Sequence, residues 1–123
     1  MAARFKDLAL EAADHQSLAD WWCSALGYVR REPPAGYTEQ PREWPVPIYD
    51  PEGSGPLIWL NPVSEPSEGS RMHLDVFGDT EELLALGARL VRRRDKEIGW
   101  DILEDPEGNK FCVFDPKPRV VRR

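Results

Sequence analysis

With 123 residues, 41% of them hydrophobic and 31% charged, the chain is large enough for one buried core and too small for two. Its 12 prolines favour many short elements over long helices, and a net charge of −6 argues against nucleic acid as the main ligand. No apolar run reaches the roughly 18 residues of a membrane span and no charged-then-apolar leader opens the chain, so the expectation is a cytoplasmic protein without a membrane partner. Cys23 and Cys112 lack a C-x-x-C spacing and read as free thiols.

Residues 4–11 alternate, with Lys6, Leu8 and Leu10 on one face and Phe5, Asp7, Ala9 and Glu11 on the other, as a strand does. Asp14 caps a helix that runs to Leu26 on an apolar stripe of Leu18, Trp21, Trp22, Ala25 and Leu26, and Gly27 stops it; His15 in its first turn reads as solvated. A short strand follows at 28–32. Residues 33–42 form the longest loop, suited to cover a site. Strands are expected at 44–50 and 57–61, the former confined by Pro45 and Pro47 to an edge or an irregular stretch. Residues 63–70 read as a linker.

The second part opens as the first did. Residues 71–77 form a strand with Met72, Leu74 and Val76 facing one way and Arg71, His73 and Asp75 the other. Asp79 with Glu82 begins a helix buried on Leu83, Leu84 and Leu86, and Gly87 ends it. A strand lies within 88–97, and residues 99–116 form a hairpin whose turn carries Pro106 and the left-handed Gly108. The basic run Arg92-Arg93-Arg94 and the tail Arg122-Arg123 read as solvated surface.

That hairpin occurs twice. Asp50-Pro51-Glu52-Gly53 repeats Asp105-Pro106-Glu107-Gly108, and Leu57 to Pro62 answers Phe111 to Pro116 once Pro56 is taken as an insertion. The opening strands align Asp7 with His73, and the caps Asp14 and Asp79 fall into step. The fold class expected is α+β: one domain over 1–123 built from two βαβββ modules in tandem, 1–63 and 70–117. Half-sheets joined edge to edge would form a curled mixed sheet, a cup lined by the faces turned away from the helices.

This order, with the helix segment Leu18 to Tyr28, the strand Arg71-Met72-His73-Leu74-Asp75-Val76 and the stretch from Trp100 to Val113, resembles the vicinal oxygen chelate superfamily, the glyoxalase/bleomycin-resistance/dioxygenase fold, and within it the small bacterial glyoxalase-like proteins. In metal-using members the resemblance implies ligands from the first and last strand of each module. Carried over, these fall on Asp7, on Ile58 or Trp59, on His73 and on Cys112. The divalent metal so implied (zinc, nickel, iron or manganese) would be held by Asp7, His73 and Cys112, an incomplete set, because neither Ile58 nor Trp59 is a ligand and Cys112 puts a soft thiol where the family favours glutamate.

Beside that reading stands a plainer one, in which His73 pairs with a carboxylate and Cys112 packs as a small hydrophobe. Arg71, His73 and Asp75 on one strand face suit a small polar or anionic ligand, and Trp59 and Trp100 either stack a planar ligand or belong to the core. The functional expectation is a protein that binds a small polar or aromatic metabolite through Arg71, His73, Asp75, Trp59, Trp100 and Cys112. The alternative is a metal-dependent lyase or dioxygenase of the glyoxalase type. Open sheet edges suggest a homodimer in either case.

Overall fold

The computed structural model describes residues 2–66, 68 and 71–115. The ends of the expected linker and of the second module, with Pro116 of the repeat and the arginine tail, lie outside the described residues. The chain divides into two compact units, residues 7–72 and residues 1–6 with 73–123, and the first strand contributes to both.

In the unit of residues 7–72, the later part of β1 (Ala3–Ala12) is followed by α1 (His15–Leu26), β2 (Val29–Arg30), β3 (Val46–Tyr49) and β4 (Ile58–Pro62). The strands lie in the order β2-β3-β4-β1, antiparallel except for β1 and β4, which run parallel with Leu8 opposite Ile58, Ala9 opposite Trp59 and Leu10 opposite Leu60. Asp14 caps α1 by accepting hydrogen bonds from the Ser17 N–H at 3.1 Å and the Ser17 hydroxyl at 2.9 Å, and Gly27, at φ 74°, closes it in the left-handed region. Ala19 packs against Val46, Ile48, Ile58 and Leu60, with Leu8, Leu10, Leu18, Trp22 and Cys23 around them.

Three expectations for this unit are corrected. The inward face of α1 is Leu18, Ala19, Trp22 and Cys23; Trp21 is 59% exposed, and Ala25 and Leu26 also face solvent. His15 is buried, not solvated, because it lies one helical turn before Ala19 on that same face, and its Nε2 donates to the Trp44 carbonyl at 2.8 Å. Pro47 does not place β3 at an edge, since β3 lies between β2 and β4, and the irregular stretch is confined to Trp44 and Pro45 before it. The Pro47 carbonyl accepts from the Arg31 N–H at 3.0 Å, so the nitrogen that lacks a proton is turned to the short β2 and the ladder with β4 is undisturbed.

In the other unit, the start of β1 is joined by β5 (Met72–Gly78), α2 (Thr80–Ala85), β6 (Arg89–Arg92), β7 (Asp101–Glu104) and β8 (Lys110–Phe114). Here the order is β5-β8-β7-β6, with β5 and β8 parallel and the other pairs antiparallel. Each unit therefore pairs its opening strand with its closing one. The repeated turns close in the same way: Gly53 at φ 75° and Gly108 at φ 90° each donate their N–H at 2.9 Å to the carbonyl of Asp50 or Asp105. Each aspartate side chain in turn accepts from backbone N–H groups of its own turn.

Asp79 caps α2 as expected, through the Glu82 N–H at 3.1 Å, but the helix has only six residues and Leu86 at its end is 73% exposed instead of buried. On β5 the apolar Met72 and Leu74 are exposed while Asp75 on the opposite face is 6% exposed, so the polar face is the covered one. The basic run is held in ion pairs, Arg92 to Asp95, Arg93 to Glu81 and Arg94 to Asp101. The terminal strands of the two units are a two-residue β2 and an arginine-bearing β6, features that discourage strand addition at those edges.

Gly78 carries the close approach of β5 to the chain start: a Cβ there would lie 2.6 Å from the Ala2 carbonyl oxygen and 2.7 Å from the Ala3 Cβ. Gly78→Ala should lower stability by about 1–3 kcal/mol, read as a lower urea midpoint at unchanged slope. An unchanged midpoint would show that this approach does not constrain the fold.

Candidate functional site

The parallel ladder of β5 and β8 sets Asp75 directly opposite Cys112, so the two side chains share a face, and His73, two residues before Asp75, shares it with them. Their ligating atoms all lie within 4.8 Å of one another. The His73 imidazole forms an ion pair with Asp75 at 3.2 Å. That carboxylate first, and then the Cys112 sulfur, outweigh the opposing effect of burial and push the His73 pKa up to about 10. At neutral pH this cluster is built around an imidazolium. Trp100, just before β7, is half-buried with its ring 5.4 Å from that of Phe114. The Lys6 ammonium lies 4.6 Å from the centre of the same Phe114 ring.

In the unit of residues 7–72, Ile58 and Leu60 pack beneath α1, so Trp59, which lies opposite Ala9, faces the other way. The choice between Ile58 and Trp59, open in the sequence, is made by this register. The Trp59 Nε1–H donates at 3.0 Å to Asp7, which is 1% exposed. Arg31 places its guanidinium carbon 5.1 Å from the centre of the Trp59 ring. Arg71 belongs to this unit too and precedes β5; its carbonyl accepts from the Glu11 N–H at 2.9 Å.

Two cavities border the segment that joins β2 to β3. One of 520 Å³ is lined by Trp44, Trp59, Arg31, Gln40 and the prolines Pro34, Pro45 and Pro47. The other, of 730 Å³, shares Arg31 and Gln40 with it and adds Arg30, Arg42 and Thr38. The loop 33–42 thus forms walls of both. The first turn of α1 straps its far end: beside the His15 bond to Trp44, Gln16 donates to the Arg42 carbonyl at 2.9 Å, and Tyr37 packs edge-on to Trp44 at 5.2 Å. Sequence reasoning missed Trp44, which alternation alone placed in a strand, and Arg31. The available signal was a tryptophan set among Pro41, Pro45 and Pro47, where the backbone is too constrained for a regular strand.

Against the metal that the resemblance implies, His73, Asp75 and Cys112 converge, but Asp7 is engaged by the Trp59 indole at the position where a β4 carboxylate would be needed. One thiol, one carboxylate and one imidazole make a softer set than the carboxylate-rich one of a hard-ion centre of the glyoxalase type.

A family described as a glyoxalase-like domain matches residues 7–114. No curated protein matches the chain. Among solved structures, a glyoxalase/bleomycin resistance protein/dioxygenase superfamily member from Vibrio splendidus 12B01 is similar at TM-score 0.54 and 19% identity, covering 90% of this chain and 97% of that one. A hypothetical protein from Bacillus halodurans C-125 reaches TM-score 0.60 at 9% identity over 99% of this chain and 100% of that one. The methylmalonyl-CoA epimerase from Mycobacterium tuberculosis reaches TM-score 0.57 at 18% identity over 93% and 88%. At these identities the likeness is one of fold, and the fold is the α+β arrangement of paired βαβββ modules. Among the described residues no helix is long and apolar enough to cross a membrane.

The raised pKa of His73 makes stability pH-dependent with a definite sign. Its contribution is complete below the ordinary value of 6.5 and is lost as the pH rises toward about 10. Urea unfolding of the wild type should show this loss across that range, and His73→Gln should be less stable near neutrality with the slope flattened. An equal slope in the variant would assign the dependence to another group.

Proposed function

The chain belongs to the glyoxalase-like domain family, and on that premise we propose that it binds a small polar or aromatic metabolite on the sheet faces turned away from its helices, without requiring a metal. The observation that carries this reading is Trp59. The register turns it away from the core, its indole nitrogen is anchored on a buried carboxylate, and its ring borders a 520 Å³ cavity with a second tryptophan and an arginine. Pockets of this size, with flat apolar walls and few polar groups, suit small organic ligands.

The other unit supports the same reading with different chemistry. His73 beside Asp75 is a held cationic donor, fit for a carbonyl or phenolate oxygen, with Cys112 and Trp100 as further contacts. The convergence of His73, Asp75 and Cys112 favours a second reading, a metal-dependent lyase or dioxygenase, and elemental analysis separates the two.

Protein purified without chelator should carry well under one equivalent of zinc, nickel, iron or manganese. A metabolite library should contain compounds that raise Tm by the amount mass action predicts, about 2.7 kcal/mol of stabilisation at a hundredfold excess over Kd, with the shift lost in Trp59→Leu. Stoichiometric metal that disappears in His73→Ala would overturn the metal-free reading. A library with no thermal response would overturn binding altogether.

A further inference from the structure

Resting on that binding reading, we infer that the ligand is a planar aromatic monoacid, its ring seated in the cavity of Trp44 and Trp59 and its acid group at Arg31. Flat apolar walls come from the two tryptophans and from Pro34, Pro45 and Pro47, rigid surfaces that lose little conformational freedom when a ring packs on them. Arg31 lies on both cavity linings, so it marks where the aromatic slot gives way to the more polar space beside it.

Charge decides the class of acid. Arg30 is committed to Asp20 and Gln16 at 2.7–3.2 Å, whereas among the described residues no carboxylate lies within ion-pair distance of Arg31. Arg31 is also fixed in place, its backbone N–H on the Pro47 carbonyl at 3.0 Å and its guanidinium over the Trp59 ring. A cationic ligand would have to approach a tryptophan that already carries a cation, which disfavours an ammonium. Glu32 lines both cavities and Glu39 the larger one, so a doubly charged phosphate would be repelled about twice as strongly by these carboxylates as a single carboxylate placed at Arg31. The strap from His15 and Gln16 to residues 42–44 holds the Trp44 wall in place before any ligand arrives.

The test uses one ring system with three charges: 1-naphthoate, 1-naphthamide and 1-naphthylmethylammonium, titrated calorimetrically into the full chain. The naphthoate should bind at least about tenfold more tightly than the amide, and the ammonium should not bind measurably. Arg31→Gln should erase the preference for the acid, Trp44→Leu should weaken acid and amide together, and Arg93→Gln, far along the chain in a surface pair with Glu81, should change neither. Because Trp59 is anchored on Asp7 and its replacement risks the fold, the loop residue Trp44 carries the aromatic arm, with circular dichroism confirming that each variant is folded. Equal binding of acid and amide, or preferential binding of the ammonium, overturns the inference. If none of the three binds while another compound raises Tm through Trp59, the aromatic-acid class falls and the metabolite-binding reading stands; if nothing binds, both fall.

Discussion

The parallel pairing of the opening with the closing strand in each unit is the constraint on which everything else here depends. A parallel neighbour cannot be reached by a tight turn, so the chain must leave through a helix, build an antiparallel pair and return. In the unit of residues 7–72 this sets Ala9 beside Trp59, and in the other it sets Asp75 beside Cys112. Because side chains alternate with a period of two, a slip of one residue in either ladder would send Trp59 into the core and Cys112 away from His73.

Burying a carboxylate or an imidazole is unfavourable by several kcal/mol unless partners replace the lost water. Two of the buried polar groups are structural fasteners. Asp101 takes hydrogen bonds from the Thr80 hydroxyl at 2.6 Å and the Arg94 N–H at 2.8 Å, tying α2 and the basic run to β7, and His15 ties α1 to the loop that ends in Trp44. Asp7 and Asp75 are different in kind. They lie on strand faces turned away from the hydrophobic core, next to an indole in one case and to an imidazolium and a thiol in the other, where a fold concerned only with stability would place aliphatic side chains. That contrast is the physical reason to read these faces as sites.

The cavities beside Trp59 owe their walls to proline. Pro34, Pro41, Pro45 and Pro47 restrict the backbone from the end of β2 into β3, so Trp44 and Gln40 are presented by a segment with few accessible conformations. Pro47 also leaves β2 only two residues long, and the arginine that follows β2 is thereby placed at the mouth of the slot.

The amino-acid sequence by itself determined the features closed by contacts within a few residues. The caps at Asp14 and Asp79, the stop at Gly27, the two Asp-Pro-Glu-Gly turns and hence the duplicated strand-helix-strand order all follow from bonds spanning three to five positions. It also brought His73, Asp75 and Cys112 forward as chemistry-bearing residues through the alternation of one strand and the resemblance of another. Only the tertiary structure decided which way the amphipathic elements turn and which residues meet. His15 is buried while Trp21 and Leu86 are exposed, Trp59 rather than Ile58 leaves the core, and Trp44 and Arg31 form a wall together. Those outcomes are set by ladders and packing between residues 28 to 52 positions apart, and no local propensity carries that information.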